Sequence, residues 1–475
     1  MGGKTSLFTV GQFLKAVDGV LFDENVCSAC FTSVTIDSRD AVDNSLFFAL
    51  PGAKNDGHDF IQNAVERGAS LVTVMHSSRP CFDTVYAQLT ERGIPVVLTD
   101  NTLWALQKAA AFYVSKFPRL HKIGVTGSSG KTTVKECIAA VLSQKYATVM
   151  NEGNLNSETG LPLSVFKINE THEAAVFEMG MNRRGEIKEL ADVLFPQTAV
   201  ITNIGCAHIG ILGTKDAIAE EKKCIFSNFT KECTGFIPAD DPYKDFLMRG
   251  VPGTMCTFCI GGKSELKNVR SLGIRGSEFE YRGVKIRFAL CGMHNVQNAA
   301  AAISVAAHFG LSAELIKAGL ETVRPLAGRM QVLDGDITIV HDSYNANPDS
   351  VHAAIDFFDS VQIDGHKALV LGDMGELGDK SGSSHTDIVQ RALSSSASFL
   401  VFAGSAFCSA YSACTGVRDK KVLCTADTGD TALKAAAQNL YTLLHTGDFV
   451  LIKASRSTAL ERFIPVLRCS EKEAS

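Results

Sequence analysis

The sequence predicts an α/β protein of three domains: a small α/β domain, a central phosphate-loop domain on a parallel sheet, and a C-terminal Rossmann-like domain. Three observations predict it. Short apolar runs alternate with segments of helical period along nearly the whole chain, as expected of strands covered by helices. One run, Lys122 to Thr126, opens into Gly127-Ser128-Ser129-Gly130-Lys131-Thr132-Thr133 and then into apolar residues at helical spacing. A second strand–helix array follows Pro325. The expected domain limits are 1–118, 119–325 and 326–475.

The first domain is read from short strands at Thr32–Asp37, Ser45–Leu50, Leu71–Val74 and Pro95–Leu98, with an amphipathic helix over Phe60–Gly68. Asp37, Ser38, Arg39, Asp56 and His58 collect at its loop tips. Two readings stand for them: turn and capping chemistry, or a polar ligand site facing the phosphate loop. Leu103 to Phe117 reads as a helix that Pro118 ends.

The second domain starts there. The Gly/Ser turn between strand and helix is a phosphate cradle. Gly127 and Gly130 let backbone N–H groups close on an anion, and the helix start adds unpaired donors and its dipole. Lys131 is placed to reach the β- and γ-phosphates and the Thr132 hydroxyl to hold Mg²⁺. The loop is a variant: Val125 stands where the strict pattern has its first glycine. Gly3-Lys4-Thr5 repeats the signature without a strand before it and reads as an unstructured start. The buried runs Ala174–Glu178 and Thr198–Asn203 end near Glu178 and His208. Ligands bind beyond the carboxyl ends of such strands, so both are candidate Mg²⁺ ligands, although Mg²⁺ prefers oxygen. The alternative for each is a cap or a satisfied loop residue. The run Glu220-Glu221-Lys222-Lys223 on the following helix reads as a solvated face. Alternation around Arg282-Gly283 predicts a hairpin, and Gly292 opens an Ala-rich helix carrying Asn295 and Asn298 on one face.

In the third domain, strands near Ile337–Val340, Ala368–Leu371, Phe399–Ala403 and Phe449–Lys453 are each separated by helical segments. Polar clusters follow three of them directly: His341 to Pro348, Gly372 to Gly378, and Ala454 to Ser457.

Composition narrows the function classes. A length of 475 residues suits about three domains. A net charge of −5 supplies no basic field for nucleic acid. No apolar run approaches the ~20 residues of a membrane span, and no secretory signal precedes the first domain. The two CxxC pairs, Cys27/Cys30 and Cys256/Cys259, lie too far apart for a zinc ribbon. The 14 cysteines otherwise sit mostly in apolar stretches, so a reduced, cytoplasmic chain is expected.

Together these motifs resemble the Mur ligase family over nearly the full length. The residues that carry the resemblance are Asp37-Ser-Arg39, Asp56-Gly-His58, the loop Thr126–Thr133, Gly153-Asn154-Leu-Asn156, Glu178-Met-Gly, Asn203 to His208, and His294-Asn295 with Asn298. The third domain adds Gly328-Arg329, Asp342 to Pro348, Gly372 to Leu377 and Lys453 to Ser457. The resemblance implies an ATP-dependent peptide ligase of peptidoglycan precursor synthesis, with UDP-N-acetylmuramoyl-tripeptide and D-alanyl-D-alanine as substrates and a first domain that binds the UDP-sugar. It implies that Thr132, Glu178, His208 and a carbamylated Lys222 serve two Mg²⁺ ions, with Lys223 as the competing register. Gly127 to Thr133, Asn295, Asn298, Arg329 and Asp342 would contact ATP. Ser38, Arg39, Asp56 and His58 would lie near the UDP-sugar, and Asn154 and Asn156 near the substrate between domains. Tyr344, Asn345, Asn347 and Arg456 would form the dipeptide side. Arg183-Arg184 stands where the family has His-Gln. A monomer with no nucleic-acid or membrane partner is expected. Alternatives within the fold are a folylpolyglutamate synthase or the ligase adding the third residue, and outside it a non-catalytic nucleotide-binding protein.

Overall fold

A computed structural model describes residues 6–29, 31–52, 54–262, 264–414 and 420–468. Gly3-Lys4-Thr5 and Cys30 lie outside the described residues. No disulfide links the described cysteines.

The first sheet has five strands, with the parallel set Ser33–Thr35, Ser45–Phe48, Ala69–Met75 and Val96–Thr99 closed by the antiparallel pair Val20–Leu21. The strands Ser45–Phe48 and Val96–Thr99 are buried throughout, which is why they read as unbroken apolar runs. A helix over Val10–Val17 is present that the strand-by-strand reading of this domain leaves out, although Val10, Phe13, Leu14 and Val17 stand at i, i+3, i+4 and i+7 and turn one face to the core. Its other sequence signal is a capping box, Thr9 exchanging hydrogen bonds with Gln12.

The central sheet is parallel, in the order Thr254–Phe258, Thr234–Pro238, Thr198–Ile201, His121–Thr126, Ala174–Glu178, Thr148–Met150. The phosphate-loop strand is therefore interior, flanked by the strands that end at Glu178 and Ile201. The expected hairpin is present as Ser277–Tyr281 with Val284–Phe288, and Leu266–Ser271 pairs with it as a third strand. The C-terminal sheet places Thr338–Asp342, Phe449–Lys453, Lys367–Gly372, Phe399–Ala403 and Lys421–Thr425 side by side and parallel, with Gln331–Leu333 antiparallel at one edge.

The joints between domains differ in kind. The helix Thr102–Ser115 buries Ala105, Leu106, Ala109 and Val114 in an apolar cluster shared with Leu161, Phe177, Leu190 and Leu194 of the central domain. Apolar burial at roughly 25 cal/mol per Å² fixes that joint. The C-terminal domain has two cores, one of which takes in Cys291 and packs against Ile209 and Ile274 of the central domain, and the rest of the contact between these domains is through the polar groups described next. A polar interface of this kind permits relative motion.

Candidate active site

The phosphate loop owes its shape to glycines that nothing else can replace. Gly127 has φ 150°, and a Cβ there would stand 1.8 Å from Thr202 Oγ1. Gly130, φ 79°, caps the helix Lys131–Leu142, and its Cβ would meet Asn298 Oδ1 at 2.5 Å. The neighbouring strand end holds the loop: Ser129 N–H donates to Asn203 Oδ1 (3.0 Å), and Gly205 N–H donates to Ser128 Oγ (2.8 Å). Lys131 Nζ donates to Gly127 O at 2.8 Å. Desolvation draws the Lys131 ammonium below its usual pKa, against an opposing pull from Glu178.

Glu178, 3 % exposed, ends its strand beside the loop. Thr132 Oγ1 donates to one of its oxygens at 2.7 Å and Asn156 Nδ2 to the other at 2.6 Å. Asn151 clamps the same residue's backbone by accepting from its N–H and donating to its C=O. Thr132 and Asn156 thus aim a fixed carboxylate at the mouth of the loop.

The reading of Glu220–Lys223 as a solvated face does not hold for its middle pair. Glu221 is buried because it caps the helix Glu186–Leu194, accepting from Gly185 N–H (2.7 Å) and Ile187 N–H (2.9 Å). Lys222 is 1 % exposed. Burial holds its amine well below the ordinary lysine pKa, and repulsion from Lys131 adds to this. Lys223 turns the other way and donates to the carbonyls of Phe246 and Arg249, so Lys222 alone of the two faces Glu178 and Lys131.

The C-terminal domain closes over this floor. Asn347 Nδ2 donates to Ser129 Oγ at 3.1 Å, and Asp349 Oδ2 accepts from Cys206 N–H at 2.6 Å. His208 Nδ1 stands 2.6 Å from Glu376 Oε2, and Gly210 N–H donates to Glu376 O at 2.9 Å. Both His208 and Glu376 have positive φ, 63° and 60°, a conformation that costs a non-glycine residue about 1–2 kcal/mol and that the contact between domains holds in place. The His208 imidazole also keeps the Glu376 carboxyl below its ordinary pKa. The Arg329 guanidinium lies 3.9 Å from the centre of the Tyr344 ring, and Lys453 pairs with Asp342 at 2.8 Å. Asn298 Nδ2 donates to Asn295 Oδ1 at the start of their helix.

Between the domains is a cavity of about 720 Å³. It brings together Ser128 to Thr133, Asn154, Asn156, Glu178, His208, Asn295, Asn298, Arg329, Asp342, Tyr344, Asn345 and Asn347, as read from the sequence. Gly127 and Lys222 do not line it. Arg456 is exposed, with its guanidinium 5.8 Å from the Tyr344 ring centre. Ser38, Arg39, Asp56 and His58 are outside the cavity. There Asp37 caps the turn containing Ser38 and Arg39, and Asp56 caps the turn containing His58, whose Nε2 accepts from Met75 N–H. Arg183 is held by Glu158 at 2.5 Å and Glu189 at 2.7 Å. Sequence reading assigns no role to Asn203, Asp349 or Glu376. Asn203 follows a strand and bonds the loop of its own domain, while Asp349, in a helix first turn, and Glu376, in a polar cluster after a strand, reach across to the central domain, and which side chain makes such a contact has no local signal.

A nucleotide pocket that one domain builds and another closes suits a reaction whose activated intermediate must be kept from water. That arrangement fits an ATP-dependent acid–amino-acid ligase, the class to which similarity to known proteins also points. Three family models match the chain: "Mur ligase family, catalytic domain" over 31–113, "Mur ligase middle domain" over 125–306, and "Mur ligase, glutamate ligase domain" over 328–456. The UDP-N-acetylmuramoyl-tripeptide--D-alanyl-D-alanine ligase of Treponema pallidum is 43% identical over 462 residues, 97% of this chain and 99% of that one. A crystal structure of MurF from Acinetobacter baumannii superposes with a TM-score of 0.86 at 28% identity, covering 97% of this chain and 98% of that one. MurF from Thermotoga maritima, solved in complex with ADP, gives 0.78 at 27% identity over 93% and 98%. The chain belongs to the Mur ligase family.

Proposed function

We propose that this chain joins D-alanyl-D-alanine to UDP-N-acetylmuramoyl-tripeptide at the expense of ATP, as a step of peptidoglycan precursor synthesis in the cytoplasm. The observation that carries the reading is the meeting of Lys131, Glu178 and His208 with Arg329, Tyr344, Asn345 and Asn347 in one cavity between domains. The length of the similarity to a relative of that name supports the choice of substrates. A folylpolyglutamate synthase has its phosphate loop near its N-terminus, whereas here a family-matched domain precedes the loop. A diaminopimelate-adding ligase carries an Asp-Asn-Pro-Arg run that this sequence lacks.

The reaction begins at the tripeptide's terminal carboxylate, whose oxygen attacks the γ-phosphorus of ATP. An acyl phosphate forms and ADP leaves. The dipeptide amine then attacks the acyl carbon, a tetrahedral intermediate forms, and phosphate departs as the amide is completed. The difficulty is an anion attacking an anion. Lys131 and the N–H groups at the start of the helix Lys131–Leu142 offset that charge. Thr132, Glu178 and His208 offer a hydroxyl, a carboxylate and an imidazole in the one cavity, a donor set that fits Mg²⁺ with the imidazole as its least typical member. Mg²⁺ held there would supply Lewis-acid stabilisation of the transferring phosphoryl group. Asn156 keeps the Glu178 carboxylate oriented, and the contacts of Asn347, Asp349 and Glu376 hold the C-terminal domain against the loop.

Lys222 fits carbamylation. Its buried amine is biased to the neutral form, the form that adds CO₂ and releases a proton, and Lys131 lies close enough to favour the resulting negative charge. The first domain's turns around Ser38, Arg39, Asp56 and His58 are the proposed UDP-sugar contacts, and Asn154 with Arg456 the proposed contacts to the peptide substrates. The test is phosphate release with UDP-N-acetylmuramoyl-tripeptide. Release that depends on D-alanyl-D-alanine supports the proposal, and release indifferent to it removes the ligase reading.

A further inference from the structure

Far from the nucleotide cavity, two histidines and a buried aspartate meet at the base of the C-terminal sheet. Among the described residues, His366, His445 and Asp448 each offer one ligand atom, and these atoms lie within 4.8 Å of one another. His366 directly precedes the strand Lys367–Gly372 and Asp448 directly precedes the strand Phe449–Lys453. Those strands are parallel neighbours, and Lys453 at the far end of one lines the cavity. The cluster is therefore about a strand length from the nucleotide site, roughly 17–20 Å at ~3.3 Å per residue.

The carboxylate is fixed in advance. The Asp448 side chain is 2 % exposed. Its Oδ1 accepts from the His366 backbone N–H at 2.6 Å and its Oδ2 from the His445 backbone N–H at 2.8 Å, and each oxygen keeps a lone pair. Gly365 packs so tightly beneath it that a Cβ would stand 2.6 Å from Oδ1. The imidazoles are free to adjust, with side chains 56% and 74% exposed. Their Nδ1 atoms stand 3.6 and 4.0 Å from the Asp448 oxygens. Ligands ~2.0–2.1 Å from a tetrahedral ion are about 3.3 Å apart, so the ligand atoms, within 4.8 Å of one another, draw together by rotation of the two exposed rings.

We propose that His366, His445 and Asp448 bind one divalent cation of the zinc class, with water in the remaining position. Two imidazole nitrogens and one carboxylate suit Zn²⁺, Co²⁺, Ni²⁺ or Cu²⁺, whereas Mg²⁺ and Ca²⁺ favour all-oxygen sites. The ion ties the connection ahead of Lys367 to the connection ahead of Phe449, bracing the base of the sheet. The site stands independently of the ligase chemistry.

The test uses the full chain, stripped with a chelator and titrated with ZnCl₂ by calorimetry in excess Mg²⁺. One zinc site is expected whose Kd rises about tenfold or more in His366→Ala and in His445→Ala and which disappears in the double variant. Zinc raises the Tm of the wild type and leaves that of the double variant unmoved. Both histidines are exposed, so the variants fold and turn over as the wild type does. Zinc held by cysteines persists in every variant and is removed by the comparison. No zinc site in the wild type, or a site with equal affinity and Tm shift in the double variant, overturns the proposal and leaves a hydrogen-bonded clasp.

Discussion

Replacing Asp349 by alanine tests whether the polar clamp between the central and C-terminal domains drives closure. The substitution removes the carboxylate that Cys206 N–H reaches at 2.6 Å and that lies 3.8 Å from Lys215 Nζ. A hydrogen bond to a charged group contributes about 1.5–3 kcal/mol. The Asp349 side chain is 45% exposed, which favours the low end. An exposed ion pair at that separation adds about 0–1 kcal/mol. The sum is about 2 kcal/mol, and at ~1.4 kcal/mol per decade the equilibrium constant for closure falls roughly 20- to 30-fold. Asp349 also lies in the first turn of the helix Pro348–Ser360, where a carboxylate contributes about 0.3–1 kcal/mol whether the domains are open or closed. That part appears in Tm, not in the closure equilibrium. The expected result is a kcat/KM for tripeptide-dependent phosphate release lowered by more than twofold and by at most roughly 20- to 30-fold, with a larger radius of gyration by X-ray scattering and a Tm lowered by a few degrees at most. Asp349→Asn, which retains an acceptor, should lose less. A kcat/KM within twofold of wild type, with unchanged scattering, would refute the reasoning.

Three further outcomes are expected. Lys131→Ala should fold with a Tm near that of the wild type and lose phosphate release by about a thousandfold or more, as expected for removal of a charge aimed at the transferring phosphoryl group; normal turnover would contradict its role. Gly127→Ala should cost about 2–3 kcal/mol in urea unfolding, because the new Cβ meets Thr202 Oγ1 and lies 3.0 Å from the Thr202 backbone nitrogen at a φ that side chains avoid; an unchanged midpoint would count against it. Lys222→Met should raise the stability of the nucleotide-free chain in CO₂-free buffer, where the lysine is uncarbamylated, by an amount that shrinks as pH rises. The sign follows from the lowered lysine pKa: below the ordinary value the unfolded chain binds the proton more readily than the folded one, so wild-type stability grows with pH and the variant's advantage fades. An advantage that grows between neutral and alkaline pH is incompatible with a neutral buried amine.

What the sequence disclosed, and what it withheld, follows from the range of the forces involved. Gly127 to Thr133 can be read because strand, turn glycines and helix start are contiguous, and the phosphate-binding chemistry is written in that order. Glu178 and the strands around it can be read because burial on both faces makes a parallel strand apolar throughout. The charged run at Glu220–Lys223 reads as solvent-facing, since charge is normally solvated. The burial of Glu221 depends on two amides of a helix start some 35 residues away, and that of Lys222 on the floor of the cavity. Asp349 and Glu376 owe their positions to closure of one domain on another, and no local pattern encodes it. The helix at Val10–Val17 is legible in its Thr9–Gln12 capping box and in the i, i+3, i+4, i+7 spacing of Val10, Phe13, Leu14 and Val17, a signal too short to stand out beside the strands that follow.

The decisive experiment is phosphate release by the purified chain with ATP, Mg²⁺ and UDP-N-acetylmuramoyl-tripeptide, with and without D-alanyl-D-alanine. Sustained release is expected only when tripeptide and dipeptide are both present, one phosphate for each amide formed. Release that continues at the same rate without the dipeptide, or none with the full set, would mean that the pocket at Lys131, Glu178 and His208 does not join these two substrates.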